Sequence, residues 1–187
     1  MTSSPAEMRT RSFWRLMGYA AVLGVVGAVA GIAFLGGTGI GATWYGDPGL
    51  EWFSGPVWWI GVAAIAGIIV GLLRRVLKMA PKTPGLIADL QEERVDPSGV
   101  PSIVAVSAVS LIGGASLGPE VALGQMGGGM AGWIAKLRRL GDDDATSLTL
   151  SGMAGAFGGL FSSPLVAMAL VIEVARPARQ RFERVFF

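Results

Sequence analysis

One long apolar run with a single charge inside it constrains this chain most. From Val100 to Trp133 the only ionisable side chain is that of Glu120. A carboxylate this deep in apolar sequence is costly unless it faces protein, water or an ion path, so a glutamate inside a membrane is by default a candidate functional residue. Pro119 precedes it, and proline suits the first turn of a helix, where its missing N–H would be unpaired anyway. The sequence therefore predicts a helix that begins here, in the middle of the run.

The composition indicates a membrane as the surroundings of this run. Hydrophobic residues make up 52% of the chain and charged residues 15%, whereas about a quarter of the residues in soluble domains are charged. The 29 glycines suit closely packed transmembrane helices. Because Cys and His are absent, redox and metal chemistry are not expected. With no nucleophile or metal ligand to pair with Glu120, we expect no enzyme activity, no cofactor and no metal site. The basic residues form short clusters beside apolar runs, which favours a lipid bilayer over nucleic acid as their partner.

Two uncharged segments predict the first two membrane spans. They are Leu16–Leu35 and Val57–Leu73, each near the length of about 20 residues that crosses a bilayer as a helix. Between them, Gly36–Gly55 is predicted as an outer loop with interfacial aromatic residues. Basic residues precede the first span and follow the second, which places both clusters in the cytoplasm. The basic residues are Arg9, Arg11, Arg15, Arg74, Arg75 and Lys78.

Residues 16–177 are expected to form one membrane domain. Residues 1–15 are then a cytoplasmic N-terminal segment and residues 178–187 a basic cytoplasmic tail or linker. The bacterial plasma membrane is the expected location.

Short helices interrupted by Pro and Gly are predicted in the rest of the membrane domain. Leu86–Leu90 is too short to cross a bilayer, and Thr83 could cap it as a half-helix that holds an anion. An ordinary turn at the membrane surface is an equally good interpretation of this segment. The long apolar run is expected to break at Gly113-Gly114 and again before Pro119. Such discontinuous helices are typical of transporters.

The final helices follow the same pattern. Three aspartates, Asp142 to Asp144, are predicted to be a solvated start to a helix over Ser147–Phe161 rather than a metal site. A break at Ser162–Pro164 then precedes a short helix over Leu165–Val174. Glu173, near its end, is equally suited to an ion pair with a neighbouring arginine and to transport work. Gly127 to Gly129 are expected to serve close packing, and the side of the membrane on which the loop 91–99 lies is left open.

The broken helices suggest an anion path. Helix N-termini that face a cavity offer N–H donors and a fractional positive charge, which bind a halide weakly enough to release it. Glu120 would occupy the same favourable field when ionised and could leave it when protonated. The alternatives are a glutamate that only caps its own helix, and a glycine-rich membrane scaffold that transports nothing.

Residues in the second half of the chain resemble the CLC family of chloride channels and proton-coupled chloride antiporters. Leu117–Gly128 is similar to the family motif G-(K/R)-E-G-P and the glycine-rich helix after it. Downstream, Gly152–Leu165 and Ile172–Pro177 resemble the next two helices, in the same order and at similar spacing. The resemblance implies an all-α integral membrane protein that corresponds to the N-terminal inverted-repeat half of a CLC-like fold, with spanning and half-membrane helices.

The resemblance also implies residue roles. Glu120 falls on the external gating glutamate, and Gly118, Pro119 and Val121 fall beside the anion. Pro119 stands where the family has a basic residue, and Val121 where it has a glycine. Thr83 is the nearest stand-in for the central anion-binding serine, and Glu173 is the candidate for the internal proton path.

The resemblance further implies what the complete protein contains. Family subunits have two inverted halves, and the second half supplies a G-x-F-x-P helix start and a tyrosine to each anion path. This sequence contains neither feature. We therefore expect chloride or a similar small anion as the substrate, and a C-terminal half, a homodimer or another partner to complete the path.

Overall fold

The structure, a computed structural model, describes residues 11–43, 58–79, 95–116 and 118–175. Within these ranges the chain forms helices and no strand, which confirms the predicted all-α class. The helices are α1 (Arg11–Thr43), α2 (Trp58–Val76), α3 (Val100–Ile112), α4 (Glu120–Arg138), α5 (Asp142–Phe161) and α6 (Pro164–Ala175). Thr83, the predicted half-helix at Leu86–Leu90 and most of the predicted outer loop lie outside the described residues.

The first helix is longer than predicted. The sequence predicts that the span ends at Leu35, but α1 continues through the glycine-rich stretch to Thr43. Thr38 donates hydrogen bonds from its hydroxyl to the carbonyls of Phe34 and Leu35, and Thr43 donates one to Ile40. Both hydroxyls thus bond back to the same helix, which runs to Thr43, so the prediction that a loop begins at Gly36 is wrong.

The second helix agrees with its predicted span and has no buried residue. Its exposed side chains are large and apolar; Trp59, Ile65, Ile68 and Leu72 are all more than half exposed. An apolar surface of this size needs a non-aqueous covering. Two helices in the described ranges are long and apolar enough to cross a membrane, Phe13–Thr43 and Trp58–Val76. The exposed surface of α2 therefore fits contact with lipid.

α5 is the central helix of the bundle. It packs in parallel with α1, since Gly155 lies against Gly24, and Gly159 four residues later lies against Ala28. It packs in antiparallel with α4, and the two backbones meet where Gly152 crosses Gly127. Small residues at such positions let helix backbones approach closely.

The apolar core forms on both sides of this crossing. One cluster gathers fully buried side chains of α4, α5 and α6, and a second cluster joins α1, α4 and α5. The largest fully buried side chains are Phe157, Leu123, Leu148, Met153 and Val171. The core therefore holds α4 and α5 in a fixed relation, and with them the start of α4.

Basic residues of α1 and α4 lie at one end of the bundle, which we call the Lys136 end. The guanidinium of Arg138 lies 5.6 Å from the ring centre of Tyr19, which is four residues, about one turn of α1, after Arg15. Lys136 Nζ lies 3.2 Å from Asp96 Oδ1, so the turn before α3 is at this end too. These contacts put the basic start of α1 and the basic end of α4 at the same end of the bundle. They also place residues 95–99 at this end of the bundle.

Candidate gate at the start of the fourth helix

The break between α3 and α4 begins at a pair of glycines. The N–H of Gly113 donates to the carbonyl of Val109 at 2.9 Å, and that of Gly114 donates to Leu111 at 3.1 Å. Gly114 has a φ of 83°, a left-handed conformation that favours glycine because it has no Cβ. The glycine pair therefore ends α3 where the sequence predicts a break.

α4 begins at Glu120, as predicted. Pro119 precedes it with φ −75° and ψ 1°, and the first hydrogen bond of the helix runs from the N–H of Leu123 to the carbonyl of Pro119 at 3.0 Å. The N–H groups of residues 120–122 come before that bond and have no carbonyl partner within the helix. The start of α4 thus combines N–H donors, the positive end of the helix dipole and one carboxylate.

The side chain of Glu120 folds back over Gly118. Both carboxylate oxygens and Cδ of Glu120 lie where a Cβ on Gly118 would be. Glu120 is half-buried and Gly118 is exposed, whereas Ala122 and Leu123, one turn further on, are fully buried. The carboxylate therefore lies in front of its own helix, at the point where the buried face of α4 gives way to open surface.

The break lies beside the long helices and not beyond their ends. A Cβ on Gly113 would meet the side chain of Ala66, near the middle of α2. On the other side of the break, a Cβ on Gly31, inside α1, would lie 3.4 Å from Cδ2 of Leu123. Among the described residues, α1 and α2 are the two helices long and apolar enough to cross a membrane, so the start of α4 lies alongside helices suited to a bilayer.

A second helix start lies at the same end of the bundle. α5 ends at Ser162, whose φ of 52° is left-handed, and α6 starts at Pro164, as the predicted break requires. The N–H of Val166 donates to Ser163 Oγ at 3.5 Å, and the N–H of Ala167 donates to the Ser163 carbonyl at 3.2 Å. Because α4 and α5 are antiparallel, the end of α5 and the start of α6 lie at the Glu120 end.

The predicted site residues fall into separate groups. Gly118, Pro119, Glu120 and Val121 lie together at the start of α4. Glu173 is exposed near the far end of α6, about 13 Å along the axis from the start of that helix at 1.5 Å per residue. Its predicted arginine partner and Thr83 lie outside the described residues, so the ion pair and the central anion site stay predictions.

An exposed carboxylate at the Lys136 end has a perturbed pKa. The hydroxyl of Ser98 donates to Asp96 Oδ2 at 2.7 Å, and this bond, with those from the Ser98 N–H and Lys136, holds the pKa of Asp96 below its ordinary value. These bonds favour the ionised form. They tie the turn before α3 to the end of α4, far from Glu120.

This turn lies on a glycine face of α4. A Cβ on Gly128 would lie 2.7 Å from a methyl group of Val95, and one on Gly132 would lie 2.9 Å from the Val95 carbonyl oxygen. Gly129 faces Val100 in the same way. Gly127 to Gly129 therefore allow close packing, as the sequence predicts.

Sequence reasoning missed two contacts. The first is the position of the Glu120 carboxylate on Gly118, for which the sequence carries no signal beyond the two-residue spacing. The second is the pairing of α1 with α5. A signal existed for the second contact, because Gly27 and Gly31 in α1, like Gly155 and Gly159 in α5, repeat the four-residue spacing of small residues at helix interfaces.

Comparison with known proteins decides the family. The sequence profile described as "Voltage gated chloride channel" matches residues 65–184, which is more than half of the chain and includes the whole of the break and α4. The chain belongs to the voltage-gated chloride channel family. This confirms the predicted relationship and, with the apolar helices, an all-α fold of the membrane class.

Two curated relatives in this family illustrate the extent of the match. A "Chloride/fluoride channel protein" from Pseudomonas syringae pv. tomato (strain ATCC BAA-871 / DC3000) is 29% identical over 147 residues, which cover 75% of this chain and 32% of the relative. A "Putative ion-transport protein YfeO" from Salmonella newport (strain SL254) is 31% identical over 121 residues, which cover 65% of this chain and 29% of that relative. The chain thus matches about a third of the length of these relatives. No solved structure matches it significantly.

Proposed function

We propose that this chain supplies the gate and one side of the anion-binding site of an anion-transporting membrane protein, with Glu120 as the gating carboxylate. The observation that carries the proposal is the place of that carboxylate, folded back in front of the α4 N-terminus, beside helices suited to span a membrane. N–H donors and the helix dipole favour a negative charge there. An ionised Glu120 and a small anion then compete for one position.

The physical basis of the gate is this competition. When the carboxylate is ionised it occupies the favourable field itself, and when it is protonated or displaced an anion can take its place. Gly118, Pro119 and Val121 would line the anion site with their backbone. Binding by backbone dipoles without a lysine or arginine is weak, and weak binding suits release and therefore conduction.

Chloride or a similar small anion is the proposed substrate, in keeping with the printed name of the first relative. Thr83 is proposed as the second anion contact and Glu173 as a proton-accepting residue. The path would be completed by a C-terminal half or by another copy of the chain in a homodimer, because the matched relatives are about three times longer than the match. A bacterial plasma membrane, with 16–177 as the membrane domain and both 1–15 and 178–187 in the cytoplasm, completes the proposal.

Anion flux from liposomes that contain the full-length protein tests the gate. We expect Glu120→Ala to raise chloride efflux at neutral pH by about tenfold, the change for a competing interaction on the order of 1.4 kcal/mol. Asp96→Asn is the matched control, because it removes a carboxylate at the Lys136 end and should leave efflux unchanged. If no variant and no assembly carries anions, and changes at Gly128 only disrupt association, the chain is a glycine-rich scaffold instead.

A further inference from the structure

We propose that Gly118 is a positioning residue that sets the closed place of the gate by leaving its Cα bare for the Glu120 carboxylate. The inference rests on the proposed function of Glu120 and adds the reason why the carboxylate can lie where it does. Gly118 then has a second role, in gating, besides lining the anion site with its backbone.

The contact is between the end of one side chain and the position of a missing one. The two carboxylate oxygens and Cδ of Glu120 are the three atoms nearest to the point where a Cβ of residue 118 would be built. Any larger residue at this position would need that space. The carboxylate therefore rests against Gly118 only because the residue there is glycine.

The backbone at Gly118 gives no other reason for a glycine. Among the described glycines, Gly114 has a positive φ, 83°, and Gly118 does not. The φ of Gly118 therefore imposes no left-handed strain on an alanine at this position. Gly118 is also exposed, and its nearest neighbours are all atoms of Glu120, whereas the glycines of the helix crossing face main-chain atoms. The effect of a Cβ at 118 should thus fall on Glu120 and on little else.

A methyl group at 118 would displace the carboxylate without removing its charge. Neutralising Glu120 does the opposite, because it removes the charge and leaves the position beside the Gly118 Cα unfilled. Gly118→Ala is therefore expected to open the anion path at a pH where Glu120 is still ionised.

The test compares chloride efflux from liposomes containing the full-length protein in four forms, each measured from neutral to mildly acidic pH. The forms are wild type, Gly118→Ala, Glu120→Gln and the double variant. We expect Gly118→Ala to increase efflux at neutral pH by about half or more of the increase that Glu120→Gln causes, and to flatten the pH profile. The double variant should match Glu120→Gln with no additive gain, because both changes act on one interaction.

Gly158→Ala is the matched control, because a Cβ on Gly158 meets no atom within 4 Å. It should keep the wild-type rate and pH profile. Glu120→Asp is the second variant if Gly118→Ala does not fold. It keeps the charge, but its carboxylate is one methylene too short to reach the Cα of Gly118, so efflux at neutral pH should again rise.

The outcomes separate this inference from the proposed function. Suppose that Glu120→Gln changes efflux, while Gly118→Ala keeps the wild-type rate and pH profile. The proposed role of Gly118 is then wrong, and the proposed gate stands. The same holds for Glu120→Asp if it replaces Gly118→Ala. Additive effects in the double variant would also overturn the role, since they place the action of Gly118 elsewhere. If Glu120→Gln itself behaves like wild type, both proposals fail.

Discussion

Two glycine-rich regions of this molecule look alike in sequence and differ in what the glycines do. At the crossing of α4 and α5, the Cβ that Gly127 lacks would strike the backbone carbonyl of Gly152, and the reverse is also true. At the break before α4, the Cβ that Gly118 lacks would strike a side chain, the carboxylate of Glu120. The first contact involves two main chains, which cannot move independently of their helices.

The difference separates stability from mobility. Two main chains in contact can yield only if a helix shifts, and packed interiors resist such shifts. A carboxylate on three rotatable bonds can move while the helix stays in place. The crossing therefore holds the start of α4 rigid, and the break provides the part that moves.

The largest expected effect is on the crossing. Gly152→Val places a branched side chain against the Gly127 carbonyl, and a Cβ there would also lie 3.2 Å from the Ala131 Cβ. We expect a loss of about 3 kcal/mol or more of stability, since overpacking at a rigid contact is costly. Thermal unfolding in detergent, followed by size-exclusion chromatography, measures the loss.

Gly158→Val, in the same helix, is the control for the crossing. A Cβ on Gly158 meets no atom within 4 Å, so this variant should keep the wild-type melting temperature to within a small shift. Equal destabilisation by the two valines would mean that helix propensity and not the crossing sets the effect.

A smaller effect is expected at Gly114, where the backbone itself requires glycine. With φ at 83°, Gly114→Ala should cost about 1 kcal/mol, the penalty for a Cβ in the left-handed region. Gly99→Ala is the comparison, because Gly99 has an ordinary φ of −83° and its Cβ would be 4.0 Å from the nearest atom, the Asp96 carbonyl oxygen. The melting temperatures of both variants check this, and a neutral Gly114→Ala would contradict the stated reason for the end of α3.

The smallest effect is expected at Asp96, whose side chain is 70% exposed. Its pKa is lowered in the folded protein from an ordinary value of 3.8, first through Ser98 and then through Lys136. A lowered pKa contributes stability above the unfolded-state pKa, and that contribution is lost as the pH falls through the folded value. Wild type should therefore melt slightly above Asp96→Asn at neutral pH, and the difference should shrink as the pH falls below 3.8 and vanish below the lower pKa of the folded protein. A difference that grows in acid would have the wrong sign.

Much of the fold follows from local chemistry that a sequence displays. The break at Gly113-Gly114, the helix start at Glu120 and the break before Pro164 depend on glycine and proline, whose backbone preferences act wherever they occur. The span of α1 beyond Leu35 could not be predicted in this way. Threonine hydroxyls can bond back to carbonyls of a helix, as those of Thr38 and Thr43 do, but they also bond in turns, so a stretch rich in glycine and threonine does not distinguish helix from loop.

The candidate site was predictable in part for the same reason. Glu120 stands out because a lone charge in an apolar run is costly wherever it is placed. The contact of its carboxylate with Gly118 depends on a rotamer, and the place of the break beside Ala66 and Gly31 depends on tertiary packing. Neither the rotamer nor the packing can be predicted from the order of the residues.

The central claim is that the Glu120 carboxylate competes with an anion at the start of α4. The most direct test is the pH dependence of chloride efflux in wild type and Glu120→Gln, measured on liposomes with the full-length protein. The account predicts that wild-type efflux rises as the pH falls and that Glu120→Gln is fast at every pH in the range. A Glu120→Gln profile that rises with acid as steeply as the wild-type profile would contradict it.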